Sequence, residues 1–191
     1  MLDPRITAIL DFWCLPKSHA RYGEARAIWF AGGPDFDAEI ARRFGRDIER
    51  AKARRHDHWI DTPDGALALV LLLDQFTRNT GRGTSAAFAG DRHARHVAHM
   101  ALARGYDRRF PCQIAKFFYL PFEHSESLGD QHRSIGLFAR HSPVVVLTWA
   151  VAHRDIVARF GRFPHRNAAL GRADTPAETA YLAGDHHRFG Q

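Results

Sequence analysis

Thr62-Pro63-Asp64-Gly65-Ala66-Leu67-Ala68-Leu69-Val70-Leu71-Leu72-Leu73-Asp74-Gln75-Phe76-Thr77-Arg78-Asn79 is the stretch that decides how this chain folds. Thr62 before proline is a helix start. The hydroxyl accepts a free N–H, and proline at the first helical position has no N–H to leave unpaired. From 66 to 76 the apolar residues leave no polar face, so this helix must be covered all round and sit at the centre. Thr80-Gly81-Arg82-Gly83 stops it. Asp74 and Gln75 lie inside the apolar run and Arg78 lies one turn beyond. Ionisable groups beside a core cost free energy unless they are paired or used.

The flanking sequence is punctuated as helices too. Asp3-Pro4 starts a first helix that should stop near Leu15-Pro16. Ile40, Phe44, Ile48 and Ala51 recur at three- and four-residue spacing and predict a long helix over 38–59 with one buried face. The arginines around it, among them Arg42, Arg46 and Arg50, read as its solvated side. Asp91 is expected to cap a helix ending at Arg104-Gly105, with the glycine left-handed. An apolar segment over 114–122 should break at Pro121. Ser127 and Asp130 resemble a capping box opening a helix to about His141. Ser142-Pro143 opens the next, which ends at Phe160-Gly161. Thr175-Pro176-Ala177-Glu178 is a capping box for a last helix ending near Gly184. No stretch alternates with period two, so no sheet is expected. The expectation is a single all-α domain over 1–191, built from about seven to nine helices stacked as antiparallel hairpins, with a mobile tail over 184–191. No sequence repeat of about 34 residues is visible.

The apolar fraction of 45% is that of a globular protein. The longest apolar runs, 66–73 and 144–151, fall far short of the ~20 residues a membrane span needs. The N-terminus has no basic region followed by an apolar one, so no signal peptide is read and a cytoplasmic location is expected. Cys14 and Cys112 read as two reduced thiols in or near the core. The net charge of +6 raises the question of nucleic acid. Three of the 27 basic residues, Lys17, Lys52 and Lys116, are lysine and the other 24 are arginine. They are spread over the whole length instead of forming a stripe, which speaks against nucleic-acid binding.

Two further polar clusters adjoin apolar segments: His124-Ser125-Glu126, and His153-Arg154-Asp155 followed by Arg162-Phe163-Pro164-His165-Arg166-Asn167. With Asp74-Gln75-Phe76-x-Arg78-Asn79, Arg82-Gly83-Thr84, Leu120-Pro121-Phe122, Leu170-Gly171-Arg172 and Thr175-Pro176, they form an ordered set of motifs from about Asp11 to Ala183. The set resembles a bacterial family, domain-of-unknown-function family 924. The resemblance implies an all-α, tetratricopeptide-like fold and supplies no reaction. Thr77 departs from the pattern, where proline is expected.

The three clusters point to one polar cleft. Asp74 and Arg78 share a helix face, as do Gln75 and Asn79, and Arg82 continues the Arg78 line. The candidate ligand-binding residues are Asp74, Gln75, Arg78, Asn79, Arg82, His124, Glu126, Asp155, Arg162, His165, Arg166 and Asn167. Arginines beside carboxylates suit a small anionic metabolite or the carboxylate end of a peptide. The alternative is a hydrolase or transferase with His124 or His153 as acid–base and Glu126 as partner. A third reading is a protein-interaction scaffold, by analogy of fold alone. Asp155 and Arg159, four apart, are expected to pair. Ser125 lacks the glycine-flanked elbow of a hydrolase nucleophile. No cofactor loop is present, and no metal motif such as His-Glu-x-x-His, so no cofactor and no metal are assigned, although His124, Glu126, His153, Asp155 and His165 contain enough donors for a mixed site.

Overall fold

The computed structural model describes residues 3–141 and 144–184. Among these the chain is all-helical, with no strand, and the number of helices lies near that expected. The Ser142-Pro143 start and the tail from 185 onward, His186 and His187 included, lie outside the described residues.

The central helix is where the sequence puts it. Thr62 Oγ1 accepts from Gly65 N at 3.1 Å and opens the helix Pro63–Val70. The helix does not run on as a regular α-helix: Leu71–Phe76 is π-helical, and Thr77–Thr80 returns to α. The first helix, Pro4–Cys14, packs on Pro63–Val70 from one side, and Asp91–Ala103 packs on it as well. The helix Gly33–Lys52 lies against the π-helical stretch.

Two boundaries differ from the sequence reading. The helix expected over 38–59 runs over Gly33–Lys52. Arg54 then takes φ +61, which ends the helix, and Asp57–Asp61 forms a separate 3-10 turn that packs Trp59 into the core. Its buried face is still Ile40, Phe44, Ile48 and Ala51. Pro121 starts the short helix Leu120–Glu123 instead of breaking a segment, because its missing N–H matters least in a first turn. Gly105 is left-handed at φ +67, and Thr175 with Glu178 forms the full capping box of Pro176–Ala183.

One contiguous apolar cluster reaches from Ile6 to Ala150, with a smaller one around Ile156, Val157 and Phe163. At its centre Phe76 meets Trp13 and Phe44, both with ring centres 5.3 Å away. Cys14 is buried and Cys112 is exposed, so only one thiol belongs to the core. No helix among the described residues is long and apolar enough to cross a membrane.

Candidate functional site

The π-helical stretch carries Asp74 into the interior, where it is fully buried. Its two carboxylate oxygens accept His124 Nδ1 at 2.8 and 3.0 Å, and Gln75 Nε2 donates at 2.6 Å. Arg78 Nη1 lies 3.0 Å from the same carboxylate and donates to the Asp74 backbone oxygen at 2.8 Å. Arg78 also forks onto Asp91, at 2.8 and 3.1 Å. Asp91 therefore does not cap its helix. The cap position is Gly90, and Asp91 sits in the first turn facing Arg78. Glycine is required at 90: a Cβ there would stand 2.1 Å from the Leu73 carbonyl oxygen.

His124 follows Leu120–Glu123, and among the described residues no hydrogen bond reaches its Nε2. Arg166 enters from the 3-10 turn Pro164–Arg166 and donates through Nη1 to the His124 carbonyl oxygen at 2.9 Å. Its guanidinium carbon lies 4.8 Å from the Phe88 ring centre and 4.3 Å from that of Phe163. Arg166 is only 5% exposed, yet among the described residues its closest carboxylate contact is Asp91 at 3.7 Å, and its Nε has no partner. His153 completes the group. Its ring centre is 6.2 Å from that of His124, and its Nδ1 donates to the Trp149 carbonyl at 2.8 Å.

The remaining candidates face other partners. Glu126 does not serve His124. It accepts Arg172 at 2.7 and 2.9 Å and the Phe163 N–H at 2.8 Å, tying the loop before Pro164 in place. The two-residue spacing turned the two side chains apart. Asn79 donates to Asp37 at 2.6 Å, and Arg82 reaches the same carboxylate at 3.0 Å. Arg162 is bidentate on Glu178, at 2.6 and 2.7 Å. Asn167 donates to Asp174 at 2.7 Å. Asp155 is exposed and pairs with Arg154, not Arg159, at 2.7 Å. His165 is half-buried, 5.4 Å from the Phe163 ring centre. At the expected Ser127–Asp130 capping box, the Asp130 carboxylate accepts the Ser125 hydroxyl at 2.6 Å and the Ser127 N–H donates to Ser125 Oγ at 3.2 Å. Asp74, Gln75, Arg78, His124, His153 and Arg166 thus come together, and the outer candidates brace the loops around them.

Glu123 belongs to the cluster and the sequence reading passed it over. It is buried, its Oε1 lies 3.5 Å from His153 Nδ1, and its Oε2 has no hydrogen-bond partner. The sign that finds it is the one that found Asp74, an ionisable residue inside an apolar run.

These surroundings set the charges. Burial alone would raise the Asp74 carboxyl, but Arg78 and the hydrogen bond from His124 hold it well below the usual carboxylate range. Burial and the Arg78 charge push the His124 imidazole down, against the pull of Asp74. The pair is therefore a carboxylate with a neutral imidazole, Nδ1–H toward Asp74 and a lone pair on Nε2. Burial, with Asp74 nearby, raises Glu123 to about 8, so it keeps its proton at neutral pH. Burial and then His124 lower His153 to about 3. Burial and the neighbouring Arg78 bring Arg166 down to about 10, leaving it charged at pH 7. Among the described residues no three His, Cys, Asp or Glu side chains gather as a metal-ligand set.

A family of bacterial proteins of unknown function, DUF924, matches residues 9–185. The chain belongs to this DUF924 family. The match contains every member of the cluster, from Asp74 to Arg166. A solved structure of another protein of unknown function, from Agrobacterium tumefaciens, is 40% identical over 94% of this chain and 97% of that one, with a TM-score of 0.84. No curated protein matches. The DUF924 assignment thus comes with a fold and without an activity.

Proposed function

We propose that this chain, as one domain, binds a small anionic metabolite, or the carboxylate end of a peptide, at the Asp74–Arg78–His124–Arg166 cluster. The observation that carries the reading is Arg166. Asp74 is engaged by His124 and Arg78, Asp91 by Arg78, and Glu126 by Arg172. That leaves Arg166 as a buried cation with no carboxylate at hydrogen-bond distance and an unpartnered Nε. A buried charge whose nearest carboxylate stands 3.7 Å away is only partly compensated, and a bound carboxylate or phosphate offsets the rest with charge-assisted hydrogen bonds. The phenyl rings of Phe88 and Phe163 keep the guanidinium plane fixed for such a ligand. The absence of a membrane-spanning helix among the described residues fits a cytoplasmic metabolite. In this reading the helices stack as tetratricopeptide-like hairpins, and the paired helices Leu128–His141 and Val144–Phe160 hold the His153 side of the site.

Millimolar phosphate, sulfate and dicarboxylates should raise the melting temperature by binding the native state alone. Arg166→Ala should abolish the rise while the helical circular-dichroism signal stays. Equal protection of wild type and variant would mean general salt effects and would sink the proposal.

A second reading rests on the Asp74–His124 pair. A buried carboxylate that fixes the tautomer of a neutral imidazole with an open Nε2 is the arrangement of a general base, and Asp74 replaces Glu126 as its partner. In that reading the bound anion is a substrate, and His124→Asn removes turnover found in a hydrolase and transferase screen while anion protection is only weakened. Turnover unchanged in His124→Asn would rule it out.

A further inference from the structure

A cavity elsewhere in the molecule shares no residue with the Asp74 cluster. It holds about 380 Å³ and lies between the C-terminal turn of the helix Pro4–Cys14, the segment after it, and the start of the central helix. A volume of that order is typical of small-molecule sites. Leu10, Leu67 and Phe110 line it with apolar surface, and the polar residues on its wall include Asp11, Asp64 and Lys17. Lys17 Nζ bridges both oxygens of Asp64, at 3.0 and 2.9 Å, so those two charges cancel. Among the described residues the Asp11 carboxylate receives no hydrogen bond and no ion pair; its backbone oxygen is engaged by Leu15 N at 3.1 Å. On the wall itself that leaves Asp11 as the carboxylate without a partner among the described residues.

Two further observations agree. Leu15, on the wall, has φ +71 and ψ 155, a region that side-chain-bearing residues rarely occupy. The strain is held from behind: Arg26 Nη1 donates to the carbonyls of Phe12 and Trp13 at 2.7 and 2.6 Å, and Trp29 Nε1 donates to Trp13 at 2.7 Å. Strain maintained in this way at a cavity wall belongs with sites whose shape is fixed before a ligand arrives. The thiol of Cys14, also on the wall, is pushed up to about 12 by burial, with Asp11 and Asp64 adding to the rise against Arg26.

We infer that this cavity is a second ligand site, taking a primary ammonium carried on a small apolar body, with Asp11 as its counter-ion. The apolar body displaces water from Leu10, Leu67 and Phe110, and the ammonium donates to the free carboxylate. With Lys17 engaged by Asp64, the one carboxylate left on the wall calls for a single positive charge on the ligand. The site stands independently of the anion site proposed above.

The test uses three molecules with the same phenethyl body: 2-phenylethylammonium, neutral 2-phenylethanol and anionic phenylacetate. Each is titrated to millimolar concentration into the full chain and followed by amide NMR. The ammonium should move the amides of Cys14, Leu15 and Lys17 and should bind about tenfold tighter than the alcohol, as one charge-assisted hydrogen bond implies. Asp11→Asn should bring it down to the alcohol. Asp11 is partly exposed and unpartnered, so this variant folds, and the three-ligand comparison on the unaltered chain needs no variant at all. Ammonium and alcohol binding equally, shifts confined to the Asp74–His124 region, or no shift below 10 mM, roughly the weak end of specific binding, would each overturn the assignment.

Discussion

Single residues fix the electrostatics of this protein, and Asp74 and Glu123 respond to their surroundings in opposite ways. Asp74 is ionised because Arg78 and His124 stabilise its charge. Replacing it by alanine leaves His124 without its anchor, while Arg78 keeps Asp91. Asp74→Ala should therefore cost about 3 kcal/mol, the low end for a broken buried pair, in urea unfolding. Glu123, raised to about 8, holds a proton that the unfolded chain has already released above pH ~4.3. Its contribution to stability is complete at low pH and is lost as pH rises toward 8. His153, lowered to about 3, acts in the other sense, but only below the unfolded histidine value of ~6.5. Between pH 6.5 and 8 the Glu123 trend stands alone among these two. Stability should fall there by roughly 1–2 kcal/mol, and Glu123→Gln should flatten the fall. A wild-type profile that is level across that interval would contradict a protonated Glu123.

At the scale of elements, the π-helical stretch Leu71–Phe76 has the largest consequence. A π turn widens the backbone and frees carbonyls from the regular ladder, and such turns gather at functional positions. Here the Thr77 hydroxyl donates to Leu73 O at 2.8 Å and lies 3.2 Å from Asp74 O. Thr77→Val keeps the shape and removes the donor, so it should destabilise by about 1–2 kcal/mol in urea unfolding. The helix Asp91–Ala103 depends on the same turn through Gly90. Gly90→Ala should push that helix off Leu73 O, separate Asp91 from Arg78, and lower anion protection along with stability. A Gly90→Ala protein with wild-type melting temperature and anion response would show that the close approach is dispensable.

For the whole molecule, one aromatic nucleus joins the elements that carry the site. Phe76 lies beside Trp13 and Phe44 at 5.3 Å and Phe12 at 6.2 Å, linking the first, second and central long helices. Phe76→Ala should cost about 3–5 kcal/mol and lower the melting temperature by roughly 10 °C. Because Phe76 follows Asp74 and Gln75 directly, the cavity it leaves should also loosen the Asp74–His124 contact. A His124 imidazole signal that titrates closer to its ordinary value in this variant would record that loosening. An unchanged titration would show that the core and the cluster are independent.

The helical class, the central helix and most helix ends were legible in the sequence, because they depend on local chemistry. Thr62-Pro63, Asp3-Pro4, Gly105 and the Thr175–Glu178 box satisfy backbone groups within a few residues. An apolar run without a polar face carries its own burial. The end of the second long helix was not legible, because the periodicity of Ile40, Phe44, Ile48 and Ala51 says nothing of a left-handed Arg54. The candidate site was half legible. That Asp74, Arg78, His124 and Arg166 need partners follows from ionisable groups lying beside apolar ones. Which partner each takes does not, since Asp74 and His124 are 50 residues apart and Arg172 is 46 from Glu126. Spacing along a helix ranks neighbours on that helix only, so it offered Arg159 to Asp155, whereas nearness in sequence alone offered Glu126 to His124. For His124 and Glu126 the tertiary packing decided otherwise, because a buried charge is satisfied by whatever oppositely charged or hydrogen-bonding group the fold brings within about 3 Å, irrespective of its distance along the chain.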